Sequence, residues 1–531
     1  MSAAYDSFVR DGLPPAEQQP DFSFDLPELQ YPAHFNAAAE LLAGGAPGDL
    51  AVINAAGRWT YGDMDDLSAR IARVLVEDEG LIPGNRVLLA GRNGAMLFAA
   101  WLGILKAGGV VTAIMPILRG GEIAKVVGKA EITHAIVDAP CREAYGEAAE
   151  QCDSLRSALF FDGDSGSDAL SDRIAATAPG FAPVATQRDD PALIAFTSGT
   201  TGDPKGCVQF HRDILASADS FARHVIRPRT GARWACSAPL AFTFGLGMQF
   251  VFPFRFGGCA VTPSRPGPEG LAEAIGSFAV DICATAPTAY RAMLAMPEEE
   301  RDFASLTTCI SAGEHLPEAI WRAWHEATGV KIIDGIGATE MMHIFISASG
   351  DDIRPGATGL AVPGYRATVL DLAGQPMDEG TGRLAVKGPT GCRYLADPRQ
   401  ADYVQDGWNV TGDTYRRDAE GYFWFVARSD DMIISSGYNI AAPEVEQALY
   451  AHPAVAECAV IGVPCKERGQ LVKAFVVAAS GCAPGEALAA ELQDHVKAAI
   501  APYKYPRAVE FVSALPKTAT GKLQRFALRK G

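Results

Sequence analysis

The feature that most constrains this chain is a ten-residue segment at 197–206, Thr-Ser-Gly-Thr-Thr-Gly-Asp-Pro-Lys-Gly. The apolar run before it, residues 193–196, is typical of a buried strand, and residues 207–210 after it predict a second strand. Glycines permit unusual backbone dihedrals, so backbone amides, hydroxyl groups and the Lys205 ammonium can face one anion together. The segment therefore predicts a phosphate-binding loop.

The order of residues in this loop is more informative than its composition. The usual phosphate loop, G-x-x-x-x-G-K-[ST], does not fit, because Gly202 precedes Asp-Pro and then a strand rather than a helix. A plain Ser/Thr/Gly surface turn is the alternative on composition alone. The order T-S-G-T-T-G-x-P-K-G resembles the signature loop of the adenylate-forming superfamily, which includes acyl-CoA synthetases, adenylation domains of peptide synthetases and luciferases. The resemblance implies that Lys205 binds the leaving pyrophosphate and that ATP is held by Thr197, Ser198, Gly199, Thr200, Thr201 and Gly202.

Length and hydrophobic patterning predict an α/β fold with more than one domain. A chain of 531 residues is too long for a single hydrophobic core. Short apolar runs alternate with amphipathic stretches over 48–180 and again over 189–349, which predicts two largely parallel sheets with crossover helices. Turn-separated β-like runs after residue 355 predict a small β subdomain. We therefore expect a large N-terminal adenylation domain, 1–429, and a smaller, mobile α+β C-terminal domain, 430–531.

Charge and cysteine usage exclude several classes of partner. The net charge of −17 disfavours nucleic acid and anionic membranes, since both would be repelled. Eleven cysteines lie scattered without zinc-site spacing, which favours reduced thiols and a cytoplasmic location. Residues 1–26 lack the apolar region of a secretory signal. The stretch 96–118 is interrupted by Lys106 and Pro116, and is better interpreted as a buried helix and a strand than as a membrane span.

Further motifs follow in the order that the family resemblance implies. Residues 336–340, Ile-Gly-Ala-Thr-Glu, are similar to the family's aromatic-G-x-T-E motif. This implies that Thr339 bonds the α-phosphate and that the Glu340 carboxylate helps to hold Mg²⁺. A buried, salt-bridged glutamate is the alternative for Glu340 taken alone. Ile336 departs from the usual aromatic residue, so the adenine would rest on an aliphatic face. The resemblance implies that the nucleotide is bound by Ser311, Ala312, Gly313, Asp334, Gly335 and Ile336.

The ribose motif lies in the predicted β subdomain. Asp413 follows Thr-Gly, and Arg428 comes at the end of the same subdomain. The resemblance implies that the Asp413 carboxylate accepts hydrogen bonds from both ribose hydroxyls, with Arg428 beside it. An Asx-turn and a surface arginine are the alternative.

The last three motifs belong to the predicted C-terminal domain. Resemblance to the family's hinge implies that Asp430 is the pivot between two orientations of this domain. Gly437 and Tyr438 lie in a segment that resembles the one lining the pantetheine tunnel of acyl-CoA synthetases. Residues 516–522, Pro-Lys-Thr-Ala-Thr-Gly-Lys, resemble the family's lysine motif, and the resemblance implies that Lys522 bridges the substrate carboxylate and the α-phosphate.

The acid substrate is harder to infer from the sequence. Residues 238–247 are similar to the family's acid-pocket motif, and Thr243 stands where amino-acid-activating members carry an aspartate, which argues against α-amino acids. Residues 340–347 resemble the corresponding region of benzoate, 4-hydroxybenzoate and 2-aminobenzoate CoA ligases. We expect Phe244, Ile336 and His343 to form a short, flat pocket for an aromatic ring. A core histidine is the alternative for His343.

These motifs together predict an aryl-CoA ligase that uses ATP, Mg²⁺ and coenzyme A. The alternatives are the same chemistry on an alkyl or fatty acid, a free-standing enzyme that loads a carrier protein, and a nucleotide-binding regulator without catalysis. The regulator is disfavoured because Lys205, Glu340, Asp413 and Lys522 are all present. We expect small-molecule partners, with neither nucleic acid nor membrane among them, and leave a homodimer open.

Overall fold

The computed structural model describes residues 6–163, 165–197, 203–428, 432–435, 438–465, 468–517 and 523–529. Four β-sheets are formed within these residues. The strands, in chain order, are β1 (Leu50–Asn54), β2 (Gly57–Thr60), β3 (Arg86–Ala90), β4 (Val110–Ile114), β5 (His134–Asp138), β6 (Ser157–Phe161), β7 (Pro191–Thr197), β8 (Lys205–Phe210), β9 (Arg233–Cys236), β10 (Cys259–Val261), β11 (Ile282–Thr285), β12 (Thr308–Ser311), β13 (Ile332–Gly337), β14 (Ile344–Ser347), β15 (Leu360–Ala361), β16 (Arg366–Leu370), β17 (Pro376–Met377), β18 (Gly380–Lys387), β19 (Val404–Gln405), β20 (Trp408–Arg417), β21 (Phe423–Arg428), β22 (Met432–Ser435), β23 (Tyr438–Ala441), β24 (Val455–Cys465), β25 (Gly469–Ala478) and β26 (Ala508–Phe511).

Helices connect and cover these strands. The α-helices are α1 (Phe8–Asp11), α2 (Ala37–Leu42), α3 (Tyr61–Arg73), α4 (Ala95–Lys106), α5 (Gly120–Ala130), α6 (Arg142–Ala149), α7 (Leu170–Ala176), α8 (His211–Ser217), α9 (Thr243–Leu246), α10 (Phe252–Arg255), α11 (Pro268–Phe278), α12 (Pro287–Leu294), α13 (Glu318–Thr328), α14 (Gln400–Tyr403), α15 (Ala442–Tyr450), α16 (Glu486–Ala499) and α17 (Arg525–Leu528). Three π-helical stretches also occur in the described residues, at Val74–Asp78, Ala218–Ile226 and Gly247–Val251. The last two adjoin the candidate site, where π-helical turns are often found in proteins.

The first sheet has the strand order β6-β5-β3-β4-β7-β8 and is parallel except for β8, which pairs antiparallel with β7. Its strands β3, β4 and β5 are buried along their whole length, as expected for parallel strands covered on both faces. Helix α4 is apolar on nearly all sides and packs on α3 and on this sheet. The interpretation of residues 96–118 as a buried helix and a strand is confirmed.

The second sheet has the order β15-β14-β13-β12-β11-β9-β10-β1-β2 and is parallel from β13 through β1. The carboxyl ends of its parallel strands therefore lie along one edge, where ligands of open α/β sheets bind. From the sequence we expect residues 334–340 to form a loop at the end of a strand, and this expectation is wrong for residues 334–337. Strand β13 continues to Gly337, because its second half pairs antiparallel with β14, with Gly335 opposite Ser347.

The third and fourth sheets follow the second in the chain. Strands β16 to β21 form an antiparallel sheet, and β22 to β26 form the last sheet, in which β26 pairs parallel with β25. Helices α15 and α16 pack together against the last sheet around a core that includes Val445, Leu449 and Leu492. The predicted class is confirmed: two α/β sheets, a small β-sheet and a smaller α+β unit.

Membrane insertion through a helix has no candidate in the described residues. Within those ranges, none of the helices is both long enough and apolar enough to span a bilayer.

Candidate active site

A lysine, a tyrosine and a glutamate from three segments of the chain meet at the edge of the first sheet. Lys205 begins β8, Glu340 lies in the 3₁₀ turn Thr339–Met341, and Tyr394 follows the third sheet's strand β18. The Lys205 ammonium donates a hydrogen bond of 2.7 Å to Tyr394 Oη, which itself donates a hydrogen bond of 2.5 Å to Glu340 Oε1. Lys205 Nζ lies 3.6 Å from Glu340 Oε1. Burial and the Glu340 charge raise the pKa of Tyr394 far above its ordinary value, so the phenol stays protonated as a donor.

The side chain of Gln209, in β8, holds the backbone of the Thr339–Met341 turn. The Gln209 amide donates hydrogen bonds of 3.1 Å to the Thr339 carbonyl oxygen and 3.3 Å to that of Glu340. Met342, next in the chain, has a backbone φ of +64°, which residues other than glycine rarely adopt. Such strain persists only where surrounding contacts hold it, and it often marks a functional turn. The turn is therefore held in place before any ligand binds.

Three buried polar side-chain atoms at the strand ends have no hydrogen-bond partner within the described part of the chain: Thr197 Oγ1, Ser311 Oγ and Asp334 Oδ1. Ser311 and Asp334 are adjacent across the parallel strands β12 and β13. Burial raises the pKa of the Asp334 carboxyl well above its usual range. Unpaired buried polar atoms cost free energy, so these groups are suited to a polar ligand that would pair with them.

The predicted ribose pair comes together on the third sheet. Asp413 of β20 and Arg428 of β21 are opposite each other in the antiparallel register, and Arg428 Nη1 lies 3.3 Å from Asp413 Oδ1. Burial raises the pKa of the nearby Tyr415 phenol, and the charges of Asp413 and Asp334 raise it further.

Three phenylalanine rings form an aromatic box around His343, which lies two residues after the Thr339–Met341 turn. Its ring stacks on Phe221 at a centroid distance of 5.6 Å, and lies 5.8 Å from Phe244 and 4.5 Å from Phe252. His343 Nε2 lies 3.4 Å from the Phe244 carbonyl oxygen, whereas Nδ1 has no partner in the described ranges. Gly247 leaves room for this ring, because a Cβ there would be 2.4 Å from His343 Cδ2. Burial lowers the pKa of His343 to about 3, so the ring is neutral near pH 7.

The acid-pocket loop is attached to the first sheet. Asn93, which follows β3, donates a hydrogen bond of 3.1 Å to the Ala238 carbonyl oxygen and accepts one of 2.8 Å from the Leu240 amide. Thr243 and Phe244 then begin α9. Phe244 and Ile336 are partly buried and pack on the same hydrophobic core. Phe244 and His343 thus lie 5.8 Å apart, whereas Ile336 is brought only to the same large core.

Lys522 lies outside the described residues, and the described residues on either side of 518–522 contact one another and the C-terminal sheet region. Lys517 and Leu523 form an antiparallel bridge, and the Gln524 amide donates a hydrogen bond of 2.9 Å to the Pro516 carbonyl oxygen. Arg525 Nη2 contacts both carboxylate oxygens of Glu446 at 2.8 and 2.7 Å.

Several other predicted residues also fall outside the described ranges. The backbone of Tyr438 begins β23 and pairs with Ser435, while Gly313 has a φ of +88°, which suits glycine. The residues that lie outside the described ranges are Ser198, Gly199, Thr200, Thr201, Gly202, Asp430, Gly437 and Lys522.

Sequence reasoning missed Tyr394, Gln209 and Asn93. Each acts through a contact between segments far apart in the chain, such as Tyr394 with Glu340, so no local spacing indicates it. The Arg-Tyr-Leu at 393–395 after a glycine-rich turn was the available signal for Tyr394, and it is weak.

A divalent cation could be held here by few protein ligands. Groups of three or more His, Cys, Asp or Glu side chains suited to a metal ion do not occur among the residues that the structure describes. Glu340 offers a carboxylate whose Oε1 is bonded by one phenol, which fits Mg²⁺ bound mainly by phosphates and water.

Comparison with known proteins finds matches over most of the chain. A family model of AMP-binding enzymes matches residues 40–394, and a model of the AMP-binding enzyme C-terminal domain matches residues 444–522. A benzoate–CoA ligase of Thauera aromatica is 37% identical, covering 96% of this chain and 98% of that protein. A crystal structure of an anthranilate CoA ligase with anthranoyl-AMP has a TM-score of 0.90 at 33% identity, covering 95% of this chain and 98% of that one. A crystal structure of a benzoate CoA ligase from Burkholderia xenovorans LB400 has a TM-score of 0.85 at 32% identity, covering 93% of this chain and 100% of that one.

The buried, neutral His343 predicts a specific loss of stability in acid. The unfolded chain binds a proton at His343 below about pH 6.5, whereas the folded chain does not until about pH 3. Stability therefore falls as the pH drops below 6.5, by about 2 kcal/mol at pH 5 from this residue. We expect His343→Asn to lose about 2 kcal/mol less than the wild type between pH 7 and pH 5, measured by urea unfolding. Parallel pH profiles for the two proteins would show that His343 is not buried in the neutral form.

Proposed function

Because this chain belongs to the AMP-binding enzymes of the adenylate-forming superfamily, we propose that it is an acid–CoA ligase that acts on an aromatic carboxylic acid. In the first step the carboxylate attacks the α-phosphorus of ATP, pyrophosphate leaves and an aryl-adenylate forms. In the second step the thiol of CoA attacks the acyl carbon of this mixed anhydride, losing its proton, and AMP leaves. The products are the aryl-CoA thioester, AMP and pyrophosphate.

The observation that carries the aromatic assignment is the box around His343. His343 lies two residues after the Thr339–Met341 turn, and Phe244, the partly buried member of the box, lies against its ring. A flat ring bound against Phe244 and His343 would hold its carboxylate near the turn. The relatives named benzoate and anthranilate CoA ligases support the same class of acid. The alkyl alternative needs a long channel instead of a short aromatic pocket.

Each of the assigned residues has a role that its position supports. Lys205 would bind the pyrophosphate oxygens, Thr339 the α-phosphate, and Asp413 the ribose hydroxyls. The unpaired hydroxyl groups of Thr197 and Ser311 would donate hydrogen bonds to the nucleotide or accept them from it. The strand-end residues Ser311 to Gly313 and Asp334 to Ile336 would line the adenine side. Mg²⁺, held by Glu340 and the phosphates, would supply charge neutralisation for the two anionic substrates. The carboxylate needs no general base, because it is already the nucleophile.

The second step is assigned to a different arrangement of the C-terminal domain. We place the domain boundary at 429/430 and the pivot at Asp430, so that Lys522 reaches the reacting carboxylate only during adenylation. Gly437 and Tyr438 would then line the path of the CoA thiol after rotation. The interdomain contact of Arg291 with Glu457, at 3.5 Å, is one that such a rotation would break.

The role of Lys522 predicts a separation of the two half-reactions. Lys522→Ala should reduce acid-dependent pyrophosphate release by more than a hundredfold, because it removes a cation from the reacting centre. The same variant should convert supplied aryl-AMP and CoA to thioester at nearly the wild-type rate. Both rates are measured by release of pyrophosphate or AMP. Equal losses in the two half-reactions would refute the assignment.

The aromatic pocket predicts a ranking of acids. We expect kcat/KM for thioester formation to be highest among benzoate, 2-aminobenzoate and 4-hydroxybenzoate, with acetate, hexanoate and palmitate at least tenfold lower. Small ring substituents should change discrimination by about 1–3 kcal/mol, as a methylene does in an apolar pocket. His343 Nδ1 is an unpaired acceptor in the described structure. His343→Ala should therefore reduce the turnover of either 2-aminobenzoate or 4-hydroxybenzoate more than that of benzoate.

The same panel also tests the alkyl alternative. If hexanoate or palmitate exceeds every aromatic acid by tenfold, the aryl assignment is wrong and the chain is an alkyl-CoA ligase.

A further inference from the structure

Tyr394 is held rigidly beside the two charged residues that it joins. The backbone of residues 393–395 continues the edge of the first sheet: the Val208 amide donates to the Arg393 carbonyl oxygen at 2.8 Å and the Leu395 amide to that of Gly206 at 2.8 Å. The Tyr394 amide donates a further hydrogen bond of 2.9 Å to Gln400 Oε1. With a relative exposure of 1%, the side chain has little freedom to move. The phenol oxygen therefore has a fixed position over β8.

The phenol oxygen separates a cation and an anion that would otherwise meet. It accepts from Lys205 Nζ at 2.7 Å and donates to Glu340 Oε1 at 2.5 Å, while these two charged atoms stay 3.6 Å apart. A charge-assisted hydrogen bond between an ammonium and a carboxylate has a length of about 2.8 Å. Lys205 and Glu340 are therefore close enough to pair directly with only a small movement.

A direct pair would make both residues less available to a ligand. The Lys205 ammonium would donate one hydrogen bond to Glu340, and the carboxylate would neutralise much of its charge. Glu340 would in turn have one oxygen less to offer a cation. Breaking such a half-buried pair to bind another anion costs free energy, because each charge must first lose its partner. The phenol oxygen instead holds the two charged atoms 3.6 Å apart, so that less of each charge has to be separated from its partner when a ligand binds.

We propose that Tyr394 is a positioning residue that keeps the ion pair of Lys205 and Glu340 from closing to a direct hydrogen bond, and so keeps both residues ready for the phosphates of ATP. This inference rests on the proposed function, in which Lys205 binds the pyrophosphate end of ATP. Tyr394 acts through its two partners and needs no contact with the substrate. Its effect is on ATP binding, and the acid and CoA are bound elsewhere.

The first test is Tyr394→Phe, which keeps the ring and removes the oxygen. We expect the Kd for ATP with magnesium present and no acid, measured by calorimetry, to rise about tenfold. The KM for ATP in pyrophosphate release should rise by a similar factor with kcat changed much less, as for an interaction made equally in the ground and transition states. Thioester formation from supplied aryl-AMP should be unchanged. A general structural defect would instead raise the KM for the acid and slow the second half-reaction as well.

Tyr403→Phe is the matched control. Its ring lies 5.8 Å from that of Tyr394, and its hydroxyl is buried without a hydrogen-bond partner among the residues that the structure describes. This variant also removes one buried phenol oxygen from a ring next to Tyr394, so it reports the cost of the substitution itself. We expect wild-type ATP affinity from it. If Tyr403→Phe weakens ATP binding as much as Tyr394→Phe, the inference is overturned.

A double-mutant cycle distinguishes prevention of the direct hydrogen bond from a contact of Tyr394 with ATP. In a Lys205→Ala background no Lys–Glu pair can form, so adding Tyr394→Phe should not change the Kd for ATP further. A second tenfold loss in that background would show that Tyr394 acts directly and would overturn the inference. The proposed function fails separately, if the wild-type chain does not bind ATP. Unchanged ATP binding by Tyr394→Phe, with wild-type binding intact, overturns this inference alone.

Discussion

The constraint on which this structure depends is the need to bind a polyanion and a carboxylate in a chain whose own net charge is −17. Coulomb attraction between a unit pair 4 Å apart is about 4 kcal/mol at an effective dielectric of 20, so a few well-placed cations decide whether such ligands bind. In the proposed function Lys205 is one of these cations, and its ammonium donates a hydrogen bond to Tyr394 while it lies 3.6 Å from Glu340 Oε1. The rest of the site is arranged around this charge.

The sheets bring the other groups to the same edge. Parallel pairing of β12 and β13 places Ser311 beside Asp334, and the antiparallel pair β20 and β21 places Asp413 opposite Arg428. Strand β8 joins these parts, because its backbone pairs with residues 393–395 while its Gln209 holds the Thr339–Met341 turn. The site is therefore a property of the contacts between sheets, and a change in any one sheet would displace a ligand-binding group.

Much of the fold follows from local patterns. Buried strands such as β4 and the helix α4 are continuous apolar runs, and their prediction is confirmed. The extension of β13 to Gly337 could not be predicted, because it depends on antiparallel pairing with β14. Tyr394 could not be predicted either, because its role depends on a contact with Glu340, which is distant in the chain. Lys205 and Glu340, in contrast, lie in short motifs whose residue order is informative. His343 could be named from its motif, but its burial among Phe221, Phe244 and Phe252 depends on contacts between distant segments that the sequence does not indicate.

The most direct measurement of this account is a crystal structure of the chain with a non-hydrolysable benzoyl-adenylate analogue. The account predicts that the benzoyl ring lies against Phe244 and His343, that the ribose hydroxyls bond to Asp413, and that the adenine lies between residues 311–313 and 334–336. The hydroxyl of Thr339 should lie within hydrogen-bond distance, about 3 Å, of the group that replaces the α-phosphate. An analogue bound away from Asp413, or with its ring outside the aromatic box, would contradict it.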